Sequence, residues 1–478
     1  MTRVLLQRLD WVLTVDAGDT VLRDATVVVN DDRIEAIGPA DEIASRMPAE
    51  TGDQVIDCRG LGMTPGFVDC HVHLSETLSR ACFPDALATR PWVFHWIMPY
   101  YGELTAEDER VSVIVAAAEM LRAGTTCFLD MGALVDPHAT VAALAEVGIR
   151  GATGRHAADV KPDPIPDGWT PAMVERHFFP NAAAALETLE GCVRDLDGSG
   201  NGRIRCWVNI QGKEPCSDEL HIGARDLAER LGVGTTYHIA SSIEEAEGVE
   251  RRHGLRPVAR MASLGGLGAN LVVAHAVAVT DAEIATLADH GTKVAFCPGT
   301  SLKLGKGATA IGRYPEMIDA GVTVGLGTDG VSASGNLNLM RQMYLAAGLF
   351  KDARIDPGAI GARQALRMAT IDGARALALD HEVGSLEPGK KADFVLFDLS
   401  HSEWVSYGDP TQALVWSATS ASIRETRVAG RALYRDGQVT TITDETALRA
   451  EARERAAAIV RRAGLDTAGA ALTTSAYG

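Results

Sequence analysis

The 478-residue chain has no Cys-x-x-Cys pair, little aromatic content at 5%, and fewer basic than acidic side chains, 45 against 63. Each shortage removes a class of protein. Eight cysteines (58, 70, 82, 127, 192, 206, 216 and 297) stand singly, several within apolar runs, which argues against a disulfide framework or a paired-cysteine zinc site. They read as reduced, buried thiols. The net charge of −18 opposes binding to nucleic acid or to an anionic membrane, because both are recognised by basic surfaces. No apolar run reaches the roughly 20 residues that span a bilayer. Arg3, Arg8 and Asp10 interrupt the N-terminal stretch where a secretion signal needs an unbroken apolar core. No repeat of solenoid period is present either. A cytoplasmic protein without a membrane or nucleic-acid partner is expected.

What is present is 46% hydrophobic residues and 48 glycines, the texture of an ordinary globular chain with many turns. Residues 3–38 alternate short β-type runs with turns. From 65 to about 379, apolar strands alternate with Ala-, Leu- and Glu-rich helical stretches, the pattern of a parallel sheet or barrel. Strands are expected at 66–70, 125–130, 150–154, 205–210, 234–239, 271–274, 293–296 and 322–326. Eight is a barrel's number, so the expected fold class is α/β, with a (β/α)8 TIM-type barrel at 65–383. The β texture returns at 384–397 and 423–434. A small β-sandwich domain built from both chain ends, 1–64 plus 384–440, accounts for it. Residues 441–478 should form a charged helix, about 444–463, and a frayed tail.

Thr64-Pro65-Gly66-Phe67-Val68-Asp69-Cys70-His71-Val72-His73-Leu74 carries the first chemical signal. Side chains alternate faces in a strand, so His71 and His73 point the same way and can reach one cation at roughly 2.0–2.1 Å. An isolated His-x-His is equally well a pair of satisfied polar residues. Three later strands decide the matter: His238 closes Gly234-Thr-Thr-Tyr, His275 closes Leu271-Val-Val-Ala, and Asp329 follows Val324-Gly-Leu-Gly-Thr. All five side chains then fall at the C-terminal ends of barrel strands, where barrel enzymes hold their catalytic groups.

Ordered motifs run along the chain: Pro65-Gly66-Phe67-Val68-Asp69-x-His71-x-His73-Leu74, Glu119-Met-Leu-Arg-Ala-Gly-Thr-Thr126, Cys297-Pro298 with Ser301-Leu-Lys-Leu-Gly305, Gly327-Thr328-Asp329-Gly330, and Gly384-x-Leu386-x-Pro388-Gly389-Lys390-x-Ala392-Asp393. They resemble the amidohydrolase superfamily over about residues 3–440, in particular its s-triazine hydrolase and S-adenosylhomocysteine deaminase branch. The resemblance implies a hydrolase of non-peptide carbon–nitrogen bonds, acting through metal-bound hydroxide. His71, His73, His238 and Asp329 would be the metal ligands. Asp329 would also shuttle the proton, and His275 would contact the attacking water or the substrate oxygen. It further implies a homo-oligomer. Three histidines and a carboxylate with an open water position suit one Zn2+, although Fe2+, Co2+ and Mn2+ accept the same donors.

Two departures narrow the reaction. Deaminating and triazine members of the branch carry a glutamate three residues after the fifth-strand histidine, where this chain has Ser241. Glu244 and Glu245 read better as helix-start acids than as substitutes. In the fourth strand, Asn209 cannot be carboxylated to bridge two metals, and Lys213 lies past the strand end, so one metal is expected. Five of the ten residues from Trp92 to Tyr101 are aromatic; they either line an aryl pocket or cap the core or an interface. Glu76, Trp96, Lys213 and Ser241 are the candidate substrate contacts. The first loop, the missing acid and Lys213-Glu214-Pro215-Cys216-Ser217 resemble the phenylurea and molinate hydrolases, implying a small aryl urea or carbamoyl substrate. The alternative is deamination of a purine, pterin or s-triazine, with Glu244, Glu76 or a water replacing the acid.

Overall fold

Apolar alternation along the strands decides the layering. In Phe394–Asp398, Phe394 and Leu396 pack into a small core with Val4, Leu6, Val27 and Met63, while Val395 and Phe397 face the large core that fills the rest of the molecule. A computed structural model describes residues 3–465 apart from 213 and 407. Strands from both chain ends belong to one nine-stranded sheet. The junction is Leu61–Pro65, which lies between Arg3–Leu13 and Phe394–Asp398 and runs antiparallel to the latter, Pro65 opposite Phe394. Among the described residues the strands of both ends are thus hydrogen-bonded into one connected sheet.

The barrel strands lie near their expected positions, in two parallel sheets of TIM-type order. One holds Phe67–Val72, Thr125–Asp130, Arg150–Thr153 and Ile204–Cys206; the other holds His156–Ala157, Val208–Gly212, Thr235–Ile239, Leu271–His275, Lys293–Phe296 and Val324–Leu326. The strand expected at 205–210 is divided at Trp207, and its halves pair with different neighbours. Among the described residues no continuous ladder joins the two sheets. The first and last strands are instead tied beyond their ladders: Asp329 N–H donates to the His71 carbonyl at 2.8 Å, Thr328 N–H to Asp69 Oδ1 at 3.0 Å, and the Thr328 hydroxyl to Asp69 Oδ2.

Side-chain caps start the intervening helices, including Thr105 before Ala106–Arg122, Ser217 before Asp218–Leu231 and Ser242 before Ile243–His253. Sheet and barrel are joined by a buried ion pair, Arg150 Nε to Asp393 Oδ2 at 2.8 Å. The expected C-terminal helix is Glu445–Arg462, anchored by Arg455 and Arg462 on Asp108. The tail from 466 lies outside the described residues. No helix among the described residues is long and apolar enough to cross a membrane.

Candidate active site

The strand ends bring the five predicted side chains together. Asp329 Oδ1 lies 3.4 Å from both His71 Nε2 and His73 Nε2, and Asp329 Oδ2 lies 3.7 Å from His275 Nε2. His73 Nε2 and His238 Nε2 are 3.3 Å apart. His238 Nδ1 contacts the Gln211 carbonyl, which can only accept, so the proton sits on Nδ1 and the Nε2 lone pair faces the cluster. Both nitrogens of fully buried His71 lack a hydrogen-bond partner, a costly arrangement for a polar ring unless a ligand completes it.

Backbone strain accompanies the cluster. His275 and Asp329 have φ of 73° and 60°, a left-handed conformation that non-glycine residues seldom adopt. The Tyr314 hydroxyl holds the first by donating to the His275 carbonyl at 2.7 Å, and the bond to His71 holds the second. Gly330 is required by close approach: a Cβ there would lie 1.8 Å from Glu76 Oε1. That carboxyl is fully buried and accepts from the Tyr101 hydroxyl and from Ser332 Oγ at 2.9 Å. Burial, reinforced by the charge of Asp329, pushes it up to about 7.

Burial also holds His238 down to about 3 and His73 and His275 well below the usual histidine range. For Asp329, burial alone would raise the pKa, but the close approach of His71 and the other surrounding imidazoles bring it well below the usual value. Neutral imidazoles converging on an ionised carboxylate are the donor set that a divalent cation binds. The ligand atoms of His71, His238 and His275, and those of His71, Cys297 and Asp329, each lie within 4.8 Å of one another. A metal fits the residues present. Cys297 was not among the expected site residues; its signal was its place at the end of the seventh strand.

Other expectations change. Glu244 is exposed, but Glu245 turns inward, against the reading of both as solvated helix-start acids. Its carboxylate accepts from Ser241 Oγ at 2.6 Å, Ser241 N–H at 2.8 Å and Ala240 N–H at 2.9 Å. Burial pushes its pKa upward. Trp96 is half-buried against Phe83, ring centroids 5.7 Å apart, and the aromatic segment reaches the site through Tyr101 rather than through Trp96. Lys213 lies outside the described residues. Asn209 is buried and donates to the Asp130 carbonyl at 3.1 Å. The side chain of Gln211 contacts His177 Nε2 at 3.0 Å. Sequence reasoning also missed Lys306, whose Nζ lies 3.3 Å from His275 Nε2.

A family model described as the amidohydrolase family matches residues 63–433. The chain is 34% identical over 89% of its length to a 5-methylthioadenosine/S-adenosylhomocysteine deaminase of Moorella thermoacetica, covering 93% of that protein. It is 32% identical over 95% of its length to a 5'-deoxyadenosine deaminase of Methanosarcina mazei, covering 97% of it. The crystal structure of an adenosine deaminase from Xanthomonas campestris with bound zinc superposes with a TM-score of 0.84 at 26% identity, over 96% of this chain and 98% of that one.

Proposed function

Because the chain belongs to the amidohydrolase family, metal-dependent hydrolases of non-peptide carbon–nitrogen bonds, we propose that it hydrolyses the exocyclic amine of an adenosine-type N-heterocycle and releases ammonia. The observation that carries this reading is the Glu245 carboxyl bound to the Ser241 hydroxyl at 2.6 Å. An aryl urea was expected from the first loop, from the run Lys213 to Ser217, and because serine by itself cannot protonate a ring nitrogen. With Glu245 behind it, the same position regains an acid, and the named relatives favour deamination over urea cleavage.

His71, His73, His238 and Asp329 are proposed to hold one divalent ion, zinc first. Bound there, it would supply an acidified water at neutral pH and polarise the carbon under attack. Asp329 takes a proton from the attacking water and delivers it to the departing amine. With Glu245 protonated the Ser241–Glu245 hydrogen bond reverses, so Ser241 Oγ gives its proton to the ring nitrogen that receives the electron pair and takes one from Glu245, and the second proton of the attacking water makes good the one Glu245 supplied. A carboxyl that burial pushes upward keeps its proton closer to neutral pH. Glu76, held by Tyr101 and Ser332, shapes the wall beside Asp329.

The test is a screen of zinc-loaded protein with 5'-deoxyadenosine, 5'-methylthioadenosine and S-adenosylhomocysteine beside N-aryl ureas, reading ammonia and aniline separately. Ammonia from the nucleosides is the expected result. Aniline from the ureas with no ammonia from any nucleoside overturns the reading.

A further inference from the structure

Lys306 is 7% exposed, and its ammonium lies among the reacting groups rather than in solvent. The turn that carries it explains the placement. Gly305 and Gly307 have φ of 61° and 85°, Lys306 N–H donates to the Ser301 carbonyl at 2.9 Å, and Ser301 Oγ accepts from Ala308 N–H at 3.0 Å. The chain is thereby folded sharply back, with the lysine directed inward. Lys303, three residues earlier, has a different duty: its Nζ donates to the Ser332 carbonyl at 2.6 Å. Nothing in the proton transfers assigned above uses Lys306.

An ammonium has no lone pair, so across the 3.3 Å contact Lys306 Nζ donates and His275 Nε2 accepts. An Nε2 that accepts cannot also donate to an oxygen. The donor at this corner is therefore the lysine, not the histidine. A buried ammonium is costly unless opposite charge or hydrogen bonds compensate it, and here the ionised Asp329 opposes its charge.

We propose that Lys306 is a catalytic residue that donates a hydrogen bond to the oxygen added to the substrate carbon, with His275 as its positioning partner. The inference rests on the hydrolytic reading of this site. As water adds, its oxygen bonds to the ring carbon and the C=N electron pair moves onto the ring nitrogen. The amine then leaves with its bonding pair and the proton carried by Asp329, and the added oxygen gives up its second proton, which replaces the one Glu245 supplied, to become the oxo group of the product. The amine substrate carries no oxygen at that carbon, so the interaction arises only after addition. It therefore lowers the barrier without tightening substrate binding. For an acyl substrate the same corner would receive the carbonyl oxygen.

Lys306→Met, Lys306→Arg and Lys306→Ala test this, with metal content and thermal midpoint measured for each. The expected result for Lys306→Met is a kcat lower by about 10²- to 10³-fold with KM within about threefold, the size seen when one oxyanion donor is removed. Binding of 5'-deoxyinosine, the oxo product, should weaken by more than about tenfold, and ethylammonium should restore at least about tenfold activity to Lys306→Ala. A kcat within about threefold of wild type overturns the proposal. So does a loss that follows metal or fold and resists ethylammonium. If wild type spares every nucleoside but cleaves an N-aryl urea, the deaminase reading fails, and Lys306 is judged by the same kcat criterion on the urea.

Discussion

Glu76→Gln should make the protein's stability less dependent on pH, and by a calculable amount. The Glu76 carboxyl is fully buried and stands at about 7 against an ordinary 4.5. A carboxyl raised by folding binds its proton more tightly in the native state, so its stabilising contribution is complete below pH 4.5 and is lost as pH rises through 7. At 1.36 kcal/mol per unit, the whole effect is ~3.4 kcal/mol. About 1.4 kcal/mol of it is gone by pH 5.5 and nearly all by pH 8.5, leaving about 2 kcal/mol between those conditions. Glutamine keeps an acceptor for Ser332 and carries no charge to desolvate. Urea unfolding of the metal-free proteins at pH 5.5, 7 and 8.5, followed by tryptophan fluorescence, gives the comparison. The variant should gain about 2 kcal/mol over wild type from pH 5.5 to 8.5. A difference between the two proteins that stays flat across this range, within about 0.5 kcal/mol, refutes the assignment of Glu76 as the raised group.

Removing one partner of the buried Arg150–Asp393 pair strands a charge, so Asp393→Ala should cost about 3–5 kcal/mol in urea unfolding. Glu245→Gln should lower kcat for an adenosine-type substrate by about 10²-fold, while Glu244→Gln, at an exposed position, leaves turnover unchanged in the same steady-state assay. Tyr314→Phe removes the hydroxyl that holds the His275 carbonyl and should destabilise by about 1–3 kcal/mol in thermal unfolding. Dialysis against a chelator should abolish turnover and lower the thermal midpoint, with both restored by zinc; at a free metal concentration of about 1,000 Kd, the stabilisation is about 4 kcal/mol.

Much of the barrel is legible in the chain because each apolar run is short and bounded by turns, and most are followed by a helix that starts on a serine, threonine, aspartate or asparagine cap. The histidines and Asp329 are legible because they sit where those runs stop. Glu245 was not, since its sequence position suits two roles at once. Its N–H does bond Ser242 Oγ as a third helix residue should, while its carboxylate reaches back to Ala240 and Ser241. Lys306 was hidden for a related reason: a lysine between two glycines reads as a solvated turn until tertiary packing directs it inward. The aryl-urea expectation drew in part on the same position, where Ser241 was read without the carboxyl behind it. The single sheet and the break at Trp207 depend on pairings between distant segments, which local periodicity does not encode.

The Leu61–Pro65 strand has its antiparallel neighbour more than three hundred residues downstream, beginning at Phe394. During synthesis from the N-terminus, that flank of the nascent sheet must wait, bare, until almost the whole chain has emerged. A ribosome stalled inside the barrel would hold out a ready template for cross-pairing until the strand beginning at Phe394 emerged to cover it.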